Sequence, residues 1–307
     1  MSMRVTFLGT SGAVPTTERN PSSVLVNREG DRLLFDAGEG TQRQMMRFGT
    51  GFTISDIFVT HLHGDHVLGI PGLVQTLAFN DREAPLTIHT PRGTADDVDA
   101  LVHVAGNVPP YPVSIEEVSP GEVALERPEY EVRAFAVEHR TNAVGYVLDE
   151  YDRKGRFDRE RAEELGVPVG PLFQRLHAGE SVELDDGTVV RSEQVVGSPR
   201  PGRTVALTGD TLPVDSVVSA AQDADLLVHD ATFADDRADR ATTTAHSTAR
   251  QAGEIATRAG VDRLALTHIS SRYANDTSRH EREASEAFDG EVFAAEDGQR
   301  LEIPYPE

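Results

Sequence analysis

The chain has 307 residues, which is enough for one large α/β domain or two smaller ones with a substantial core. It contains no cysteine, which excludes a disulfide framework and a thiolate zinc site, so any metal chemistry must use His, Asp and Glu. The formal charge of −22, with Lys154 as the single lysine, is typical of proteins from salt-accumulating halophiles or of an acidic protein that avoids nucleic acid.

Strand-type and helix-type patterns alternate along the chain. Strands are predicted at residues 4–8, 22–26, 31–36, 56–60, 86–90, 130–139, 142–148, 203–208, 225–233 and 263–268. Helices are predicted at residues 38–48, 67–79 and 92–105, and from the Thr/Ser-rich stretch after 242 to 260. Two strand-rich stretches of similar order predict an α/β fold, a four-layer αββα sandwich with two facing sheets and the ligand-bearing loops at one edge.

Three histidines and an aspartate follow the predicted strand at 56–60 within six residues. His61 and His63 are two residues apart on extended chain, so their side chains point to the same side and can hold one metal ion. Asp65 and His66 face a neighbouring point as the chain turns into the next helix. Imidazole and carboxylate ligands suit zinc, and a nearby second ion suits hydrolysis of a phosphoryl or acyl bond.

The pattern His-x-His-x-Asp-His resembles the signature of the metallo-β-lactamase superfamily, which contains lactamases, glyoxalase II, arylsulfatases and RNA-processing nucleases. Further motifs resemble one member, the tRNA 3′-processing endonuclease family ribonuclease Z. These are Gly-Thr-Ser-Gly-x-x-Pro at 9–15 followed by Arg19-Asn20, Phe-Asp-x-Gly-Glu-Gly-Thr-Gln at 35–42, Gly-Asp-Thr-x-Pro at 209–213 and Ala-His-Ser-Thr-Ala at 245–249.

The resemblance implies two Zn²⁺ ions per chain and assigns the residues around them. One zinc would be held by His61, His63 and His139, the other by Asp65, His66 and His268, and Asp210 would bridge the two. Asp65 would also orient the attacking water and accept its proton, and His246 would assist the leaving 3′-oxygen. From the residues alone, His139 is an ordinary strand-end histidine and His246 only a residue at the start of a helix.

Residues 150–180 interrupt the alternation with a dense mixed-charge run that includes Lys154, Arg156 and Arg175. By charge alone, a solvated helix with salt-bridging faces is favoured. The resemblance identifies the segment as an inserted flexible arm that grips tRNA, and the absence of a core-sized apolar set predicts that it projects from the body. Arg19, Asn20 and Arg272 are the other candidate substrate contacts, because the matching motifs lie near the cleavage site.

Together these features predict a single metallo-β-lactamase-fold domain over residues 1–307 with the arm at 150–180. The resemblance implies zinc-dependent cleavage of precursor tRNA on the 3′ side of the discriminator nucleotide, by a protein that acts as a homodimer. Without a signal peptide or a run of eighteen apolar residues, it is expected in the cytoplasm. The alternative is a small-molecule metallohydrolase, phosphodiesterase or arylsulfatase-like, which would need a pocket in place of an arm. A non-catalytic RNA-binding protein would be expected to have lost metal ligands.

Overall fold

Eighteen strands and ten α-helices are found in residues 2–306, which the computed structural model describes apart from the side chain of Ala105. The strands are β1 (Met3–Gly9), β2 (Ser11–Gly12), β3 (Ser23–Arg28), β4 (Asp31–Phe35), β5 (Asp56–Phe58), β6 (Leu86–Pro91), β7 (Val113–Val118), β8 (Val123–Arg127), β9 (Tyr130–Ala136), β10 (Val144–Glu150), β11 (Val182–Glu183), β12 (Val189–Val190), β13 (Thr204–Leu207), β14 (Leu226–Asp230), β15 (Arg263–Thr267), β16 (Ile269–Ser270), β17 (Glu291–Ala294) and β18 (Arg300–Ile303). The helices are α1 (Thr41–Arg47), α2 (Gly64–Val67), α3 (Ile70–Phe79), α4 (Ala95–Val102), α5 (Arg159–Glu164), α6 (Pro171–His177), α7 (Asp215–Ala220), α8 (Ala238–Thr244), α9 (Ala249–Ala259) and α10 (Ser278–Ser285). No helix among these residues is long and apolar enough to cross a membrane.

Two seven-stranded sheets form the centre of one compact unit, which contains residues 2–149 and 203–304. The first sheet has the order β18-β1-β3-β4-β5-β6-β7 and the second the order β17-β15-β14-β13-β10-β9-β8. Strands β4 to β7 are parallel in the first sheet, and β13, β14, β15 and β17 are parallel in the second. Each half of the chain therefore contributes a sheet with a parallel portion.

Three apolar cores separate the layers of this unit. Side chains such as Phe58 and Tyr146 fill the space between the two sheets. Leu73 of α3 belongs to the core on the outer face of the first sheet, and Ile255 of α9 to the core on the outer face of the second. Helices thus cover both outer faces, and the predicted αββα sandwich is confirmed.

An aromatic cluster fixes the end of β5, from which the histidine motif continues. The rings of Phe35 and Phe58 stack with their centroids 4.9 Å apart, and the ring of Tyr146 meets Phe58 edge-on at 5.3 Å. The hydroxyl of Tyr146, a residue of the second sheet, donates a hydrogen bond to the carbonyl of Val59 at 2.9 Å. The chain just before His61 is therefore held by both sheets.

The helix predicted at residues 67–79 begins at Ile70, and a separate short helix, α2, precedes it with Gly69 between the two. The Gly69 amide donates a hydrogen bond to the carbonyl of Ala37 at 2.8 Å. A Cβ atom at position 69 would lie 2.0 Å from the carbonyl oxygen of Gly38, a contact that no side chain permits. The close approach ends α2 after one turn, so Asp65 and His66 are carried by a short helix fixed against the loop after β4.

A second compact unit contains residues 150–202 and 305–306. It comprises α5, α6 and the antiparallel hairpin β11–β12. Its own core consists of Ala162, Val167, Leu176, Val182, Val190 and Val195. The prediction that no core-sized apolar set accompanies this segment is therefore wrong, because three of the six core residues, Val182, Val190 and Val195, lie beyond residue 180. For the same reason the unit extends past the predicted boundary at 180.

Candidate metal centre

The predicted metal ligands lie at the carboxyl ends of strands from both sheets. The motif containing His61 follows β5 in the first sheet, while His139, Asp210 and His268 follow β9, β13 and β15 in the second. Strands β13 and β15 are each parallel to β14, so they end at the same edge of their sheet. Side chains that are far apart in the sequence converge at this edge.

The first set of ligand atoms consists of three imidazole nitrogens and one carboxylate oxygen. His61 Nε2 lies 2.9 Å from His63 Nδ1, and His139 Nε2 lies 3.2 Å from the same atom. Asp210 Oδ2 lies 3.5 Å from His61 Nε2 and 3.8 Å from His139 Nε2. These four atoms surround one point, as expected for a single ion.

The second set uses the other oxygen of Asp210. Asp210 Oδ1 lies 3.4 Å from His66 Nε2 and 3.3 Å from His268 Nε2. Asp65 Oδ2 completes the set at 3.7 Å from His66 Nε2 and 3.1 Å from His268 Nε2. Asp210 therefore presents one oxygen to each set, and all seven predicted ligands are brought together.

Both sets fit a tetrahedral ion. Four ligand atoms bound to zinc at its usual bond lengths are roughly 3.3 Å from one another, which is close to the separations in both sets. His66 Nε2 and Asp210 Oδ1 are buried without a hydrogen-bond partner among the described residues. Orphaned buried polar atoms are costly, and an ion between these two would satisfy both. The donor set of nitrogen and oxygen atoms without sulfur suits zinc.

Residues outside the predicted set hold the ligand rings in place. Asp36 accepts hydrogen bonds from the backbone amide of Thr60 at 2.8 Å and from its hydroxyl at 2.9 Å, and its Oδ2 lies 2.7 Å from His66 Nδ1. His139 Nδ1 lies 2.8 Å from the Ala245 carbonyl, and His268 Nδ1 lies 2.8 Å from the Thr232 hydroxyl. Asp36 and Thr232 were missed because they approach the centre only in the folded chain, although a carboxylate directly after a strand is a usable signal.

The histidine predicted to act on the leaving group, His246, lies beside the second set. Its Nδ1 atom is 2.8 Å from Asp230 Oδ2, and its ring stacks on that of His268 at 5.1 Å. Asp230 is fully buried and also accepts hydrogen bonds from the backbone amides of Thr211 and Thr232. Asp230 thus orients His246 so that Nε2 is its free nitrogen.

The electrostatics of the site favour neutral imidazoles in the first set. Burial lowers the pKa of His61, His63 and His139, so these rings are neutral and able to bind a metal at neutral pH. Burial also acts against protonation of His66, but Asp210 and Asp36 outweigh it and raise the pKa of that ring. The concentration of carboxylates around His66 calls for a positive charge, which a bound cation would supply.

Comparison with known proteins identifies the family over the whole chain. A ribonuclease Z from Halorubrum lacusprofundi is 67% identical over 307 residues, which cover 100% of this chain and 99% of the relative. One from Haloferax volcanii is 68% identical and covers 99% of this chain and 96% of the relative. The chain belongs to the ribonuclease Z family. These relatives come from halophilic archaea, as the acidic, lysine-poor composition predicts.

Other comparisons agree with membership of the ribonuclease Z family. The sequence-family model of the beta-lactamase superfamily domain matches residues 174–269, and the family model of the anti-Pycsar protein Apyc1 matches residues 3–101. The crystal structure of the short form of human tRNase Z is 27% identical, with a TM-score of 0.71 over 98% of this chain and 99% of that one. The fold and the family therefore rest on both sequence and structure.

The predicted substrate contacts near the metal centre differ in whether their side chains are free to bind a ligand. Arg19 is only 5% exposed, and its Nη1 donates hydrogen bonds to the Thr10 hydroxyl at 2.7 Å and to the Ala295 carbonyl. The Asn20 side chain donates to the carbonyl of Glu39 at 2.6 Å. Both side chains are thus engaged with neighbouring segments of the protein, and their role as substrate contacts stays a prediction. Arg272 is exposed and donates a long hydrogen bond of 3.4 Å to the Ser270 hydroxyl.

The predicted cations of the second unit are of two kinds. Arg175 forms an ion pair with Glu180 at 2.8 Å, and Arg159 and Arg161 pair with glutamates on their own helix. Lys154 and Arg156 are exposed, and no acidic group in the described part of the chain forms an ion pair with either. Only the latter two keep their charge available for a phosphate.

His89 and His103 lie outside the metal centre. His89 is buried, stacks on Phe58 at 4.6 Å and lies 3.0 Å from Asp56 Oδ1. His103 is exposed at the end of α4. Neither belongs to the groups of side chains in residues 2–306 that could hold a metal ion.

Proposed function

We propose that this chain is an endoribonuclease that cuts precursor tRNA on the 3′ side of the discriminator nucleotide, with two zinc ions in the candidate metal centre. The observation that carries the proposal is the division of Asp210, whose two oxygens face separate sets of imidazole nitrogens. Two ions held so close together suit the hydrolysis of a phosphodiester, where charge grows on several oxygens at once. The full-length relatives named ribonuclease Z support the choice of RNA.

Seven residues would hold the two ions. These are His61, His63 and His139 for one, Asp65, His66 and His268 for the other, and Asp210 for both. When bound, the ions would supply Lewis acidity and offset the charge that develops on the phosphoryl oxygens.

Asp65 is the proposed general base. It lines the cavity in front of the metal centre, and its Oδ2 accepts a hydrogen bond from the backbone amide of Ala13 at 2.7 Å. This bond fixes the carboxylate on the loop after β2, so its free lone pairs can orient the attacking water. Asp65 then accepts the proton that the water loses as it attacks phosphorus.

His246 is the proposed general acid. Burial opposes protonation of the ring, but Asp230 and Asp210 outweigh it and raise the pKa of His246 to about 9. The proton on Nδ1 remains with Asp230, so Nε2 carries the proton that can be delivered to the leaving 3′-oxygen. A neutral leaving alcohol departs more readily than an alkoxide.

The second unit, residues 150–202, is the proposed tRNA-binding arm. Lys154 and Arg156, which have no acidic partner among the described residues, lie on one of two antiparallel segments at the base of this unit. The segments are joined by a hydrogen bond of 2.8 Å from the amide of Arg153 to the carbonyl of Arg200. Since the whole protein has a charge of −22, attraction to RNA must be local, and few phosphate contacts are available. We further propose that the enzyme is cytoplasmic, because its proposed substrate is precursor tRNA. We also propose that it is a homodimer, because the second unit resembles the arm of the ribonuclease Z family.

The decisive experiment is incubation of the metal-loaded protein with a precursor tRNA of defined 3′ trailer, followed by mapping of the cut. Cleavage directly after the discriminator nucleotide is expected. A matched protein in which a short Gly/Ser linker replaces residues 151–201 should keep its metal and hydrolyse bis(p-nitrophenyl) phosphate but lose tRNA cleavage. The linker can be short, because a Cβ atom at Gly202 would lie 2.1 Å from the Glu150 carbonyl oxygen. If the deletion protein cuts precursor tRNA at the parental rate, the second unit is not the arm.

A further inference from the structure

The cavity in front of the metal centre is lined by one positively charged side chain, Arg140, that the proposed mechanism does not use. The cavity has a volume of about 290 Å³ and is lined by Ala13, His63, Gly64, Asp65, Arg140, Asp210, His246 and His268. Every ionisable side chain in this lining is a proposed metal ligand or His246, except Arg140. It is also the only arginine or lysine in the lining, as far as residues 2–306 are described.

Arg140 is exposed, and its guanidinium has no partner. It forms no hydrogen bond or ion pair with any residue that the structure describes. Acidic residues outnumber basic ones in this chain by 51 to 29, yet none of the described carboxylates forms an ion pair with Arg140. On the same strand region, Arg133 pairs with Glu131 at 2.6 Å. The free guanidinium of Arg140 therefore remains available to a ligand.

The position of Arg140 is set by the metal centre. It follows His139 directly, and His139 is anchored through its Nδ1 atom, 2.8 Å from the Ala245 carbonyl. The charge of Arg140 acts on His246, where it opposes the rise in pKa that Asp230 and Asp210 cause. Arg140 also lines the same cavity as His246, the residue proposed to protonate the leaving group.

We propose that Arg140 binds the nonbridging oxygens of the phosphodiester that occupies this cavity. The inference rests on the proposed function for the identity of the substrate, but it assigns a residue that the motifs do not. A guanidinium is planar and offers parallel N–H donors that match two phosphate oxygens, which a lysine cannot do. Arg272, the other exposed candidate for substrate contact near the site, does not line this cavity.

The test compares Arg140→Gln and Arg140→Lys with Arg133→Gln, which removes the same charge from the paired arginine on β9. Elemental analysis should find unchanged metal in all three. Arg140→Gln should lower kcat/KM for precursor tRNA, and for bis(p-nitrophenyl) phosphate, by roughly 10-fold to 100-fold, and Arg140→Lys should recover only part of this. Arg133→Gln should behave as the parent.

A binding measurement separates substrate contact from a structural effect. In the His246→Ala background, the affinity for precursor tRNA is measured at several salt concentrations. Loss of one phosphate contact should reduce the slope of log K against log salt by roughly 0.7 to 0.9. Unchanged slope and unchanged diester hydrolysis in Arg140→Gln would overturn the inference, and so would loss of metal. Failure of the parent to cut precursor tRNA would instead reject the proposed function, while an effect of Arg140→Gln on the small diester would still support Arg140.

Discussion

Replacing Asp36 with asparagine should weaken metal binding although Asp36 is not a proposed ligand. In the parent, the Asp36 carboxylate accepts the Nδ1 proton of His66 at 2.7 Å, which leaves Nε2 unprotonated and directed at Asp210. In Asp36→Asn, the amide oxygen is retained by the backbone amide of Thr60, so the amide nitrogen faces His66 and donates to Nδ1. His66 then carries its proton on Nε2, where it cannot bind an ion. The backbone tolerates the change, because asparagine readily adopts the φ of 56° found here.

The magnitude follows from the number of bonds disturbed. Loss of a residue that orients a metal-binding histidine typically costs 10-fold to 100-fold in affinity, or about 1.4 to 2.7 kcal/mol. The value should lie towards the upper end, because Asp36 also accepts the Thr60 hydroxyl, which lies 3.1 Å from His61 Nδ1. One substitution therefore disturbs a ligand of each ion.

The assay is competition for the metal with a chelator of known affinity, combined with elemental analysis. The matched control is Asp56→Asn, which makes the same change in another buried carboxylate that pairs with a histidine, His89, at 3.0 Å. Asp56→Asn should lower stability without changing metal affinity. If Asp36→Asn binds both ions as tightly as the parent, or no more weakly than Asp56→Asn, the tautomer argument is refuted.

Three further predictions concern the metal centre and the terminal helix. Asp210→Ala should abolish cleavage and lose at least one ion by elemental analysis, and a fully loaded, active variant would contradict the bridging assignment. His246→Ala should keep metal content and tRNA affinity, while the single-turnover rate of cleavage falls by roughly a hundredfold or more. An unchanged rate would show that His246 is not the general acid. Burial lowers the pKa of His280 to about 4 from 6.5, so the unfolded chain takes up the proton first and stability falls as the pH drops through this range. The loss, about 3 kcal/mol when complete, should be absent from His280→Gln in denaturant titrations, and equal acid sensitivity of the two proteins would refute it.

Local patterns were sufficient to predict the fold and the histidine motif, whereas the ligands outside that motif were predicted from the resemblance to the family. Apolar runs predicted the strands, and an ionisable residue directly after such a run, as at His139 or Asp210, lies at the edge of the sheet. The roles of Asp36 and Thr232 depend on contacts between distant segments, which periodicity does not encode. The resemblance placed Arg19 near the substrate, but its burial is decided by Thr10 and Ala295, which approach only in the folded chain.

The second unit shows a different limit of the sequence. The density of charged residues predicted that the unit covers residues 150–180. Its small core, however, also depends on Val182, Val190 and Val195, which polar residues separate in the sequence. Apolar residues spaced this widely give no periodic signal, so the extent of the unit became visible only from its packing. Pairing of Arg175 with Glu180 was equally hidden, since both signs of charge occur throughout the segment.

The distribution of ligands over two sheets makes the metal ions cross-links as well as reagents. His61 and His66 belong to the half of the chain that forms the first sheet, and His139, Asp210 and His268 to the half that forms the second. Each ion would therefore tie together segments that the unfolded chain holds far apart, and its binding free energy adds to the stability of the folded state. Loss of the proposed ions should therefore lower the stability of the sandwich at this edge as well as the proposed activity.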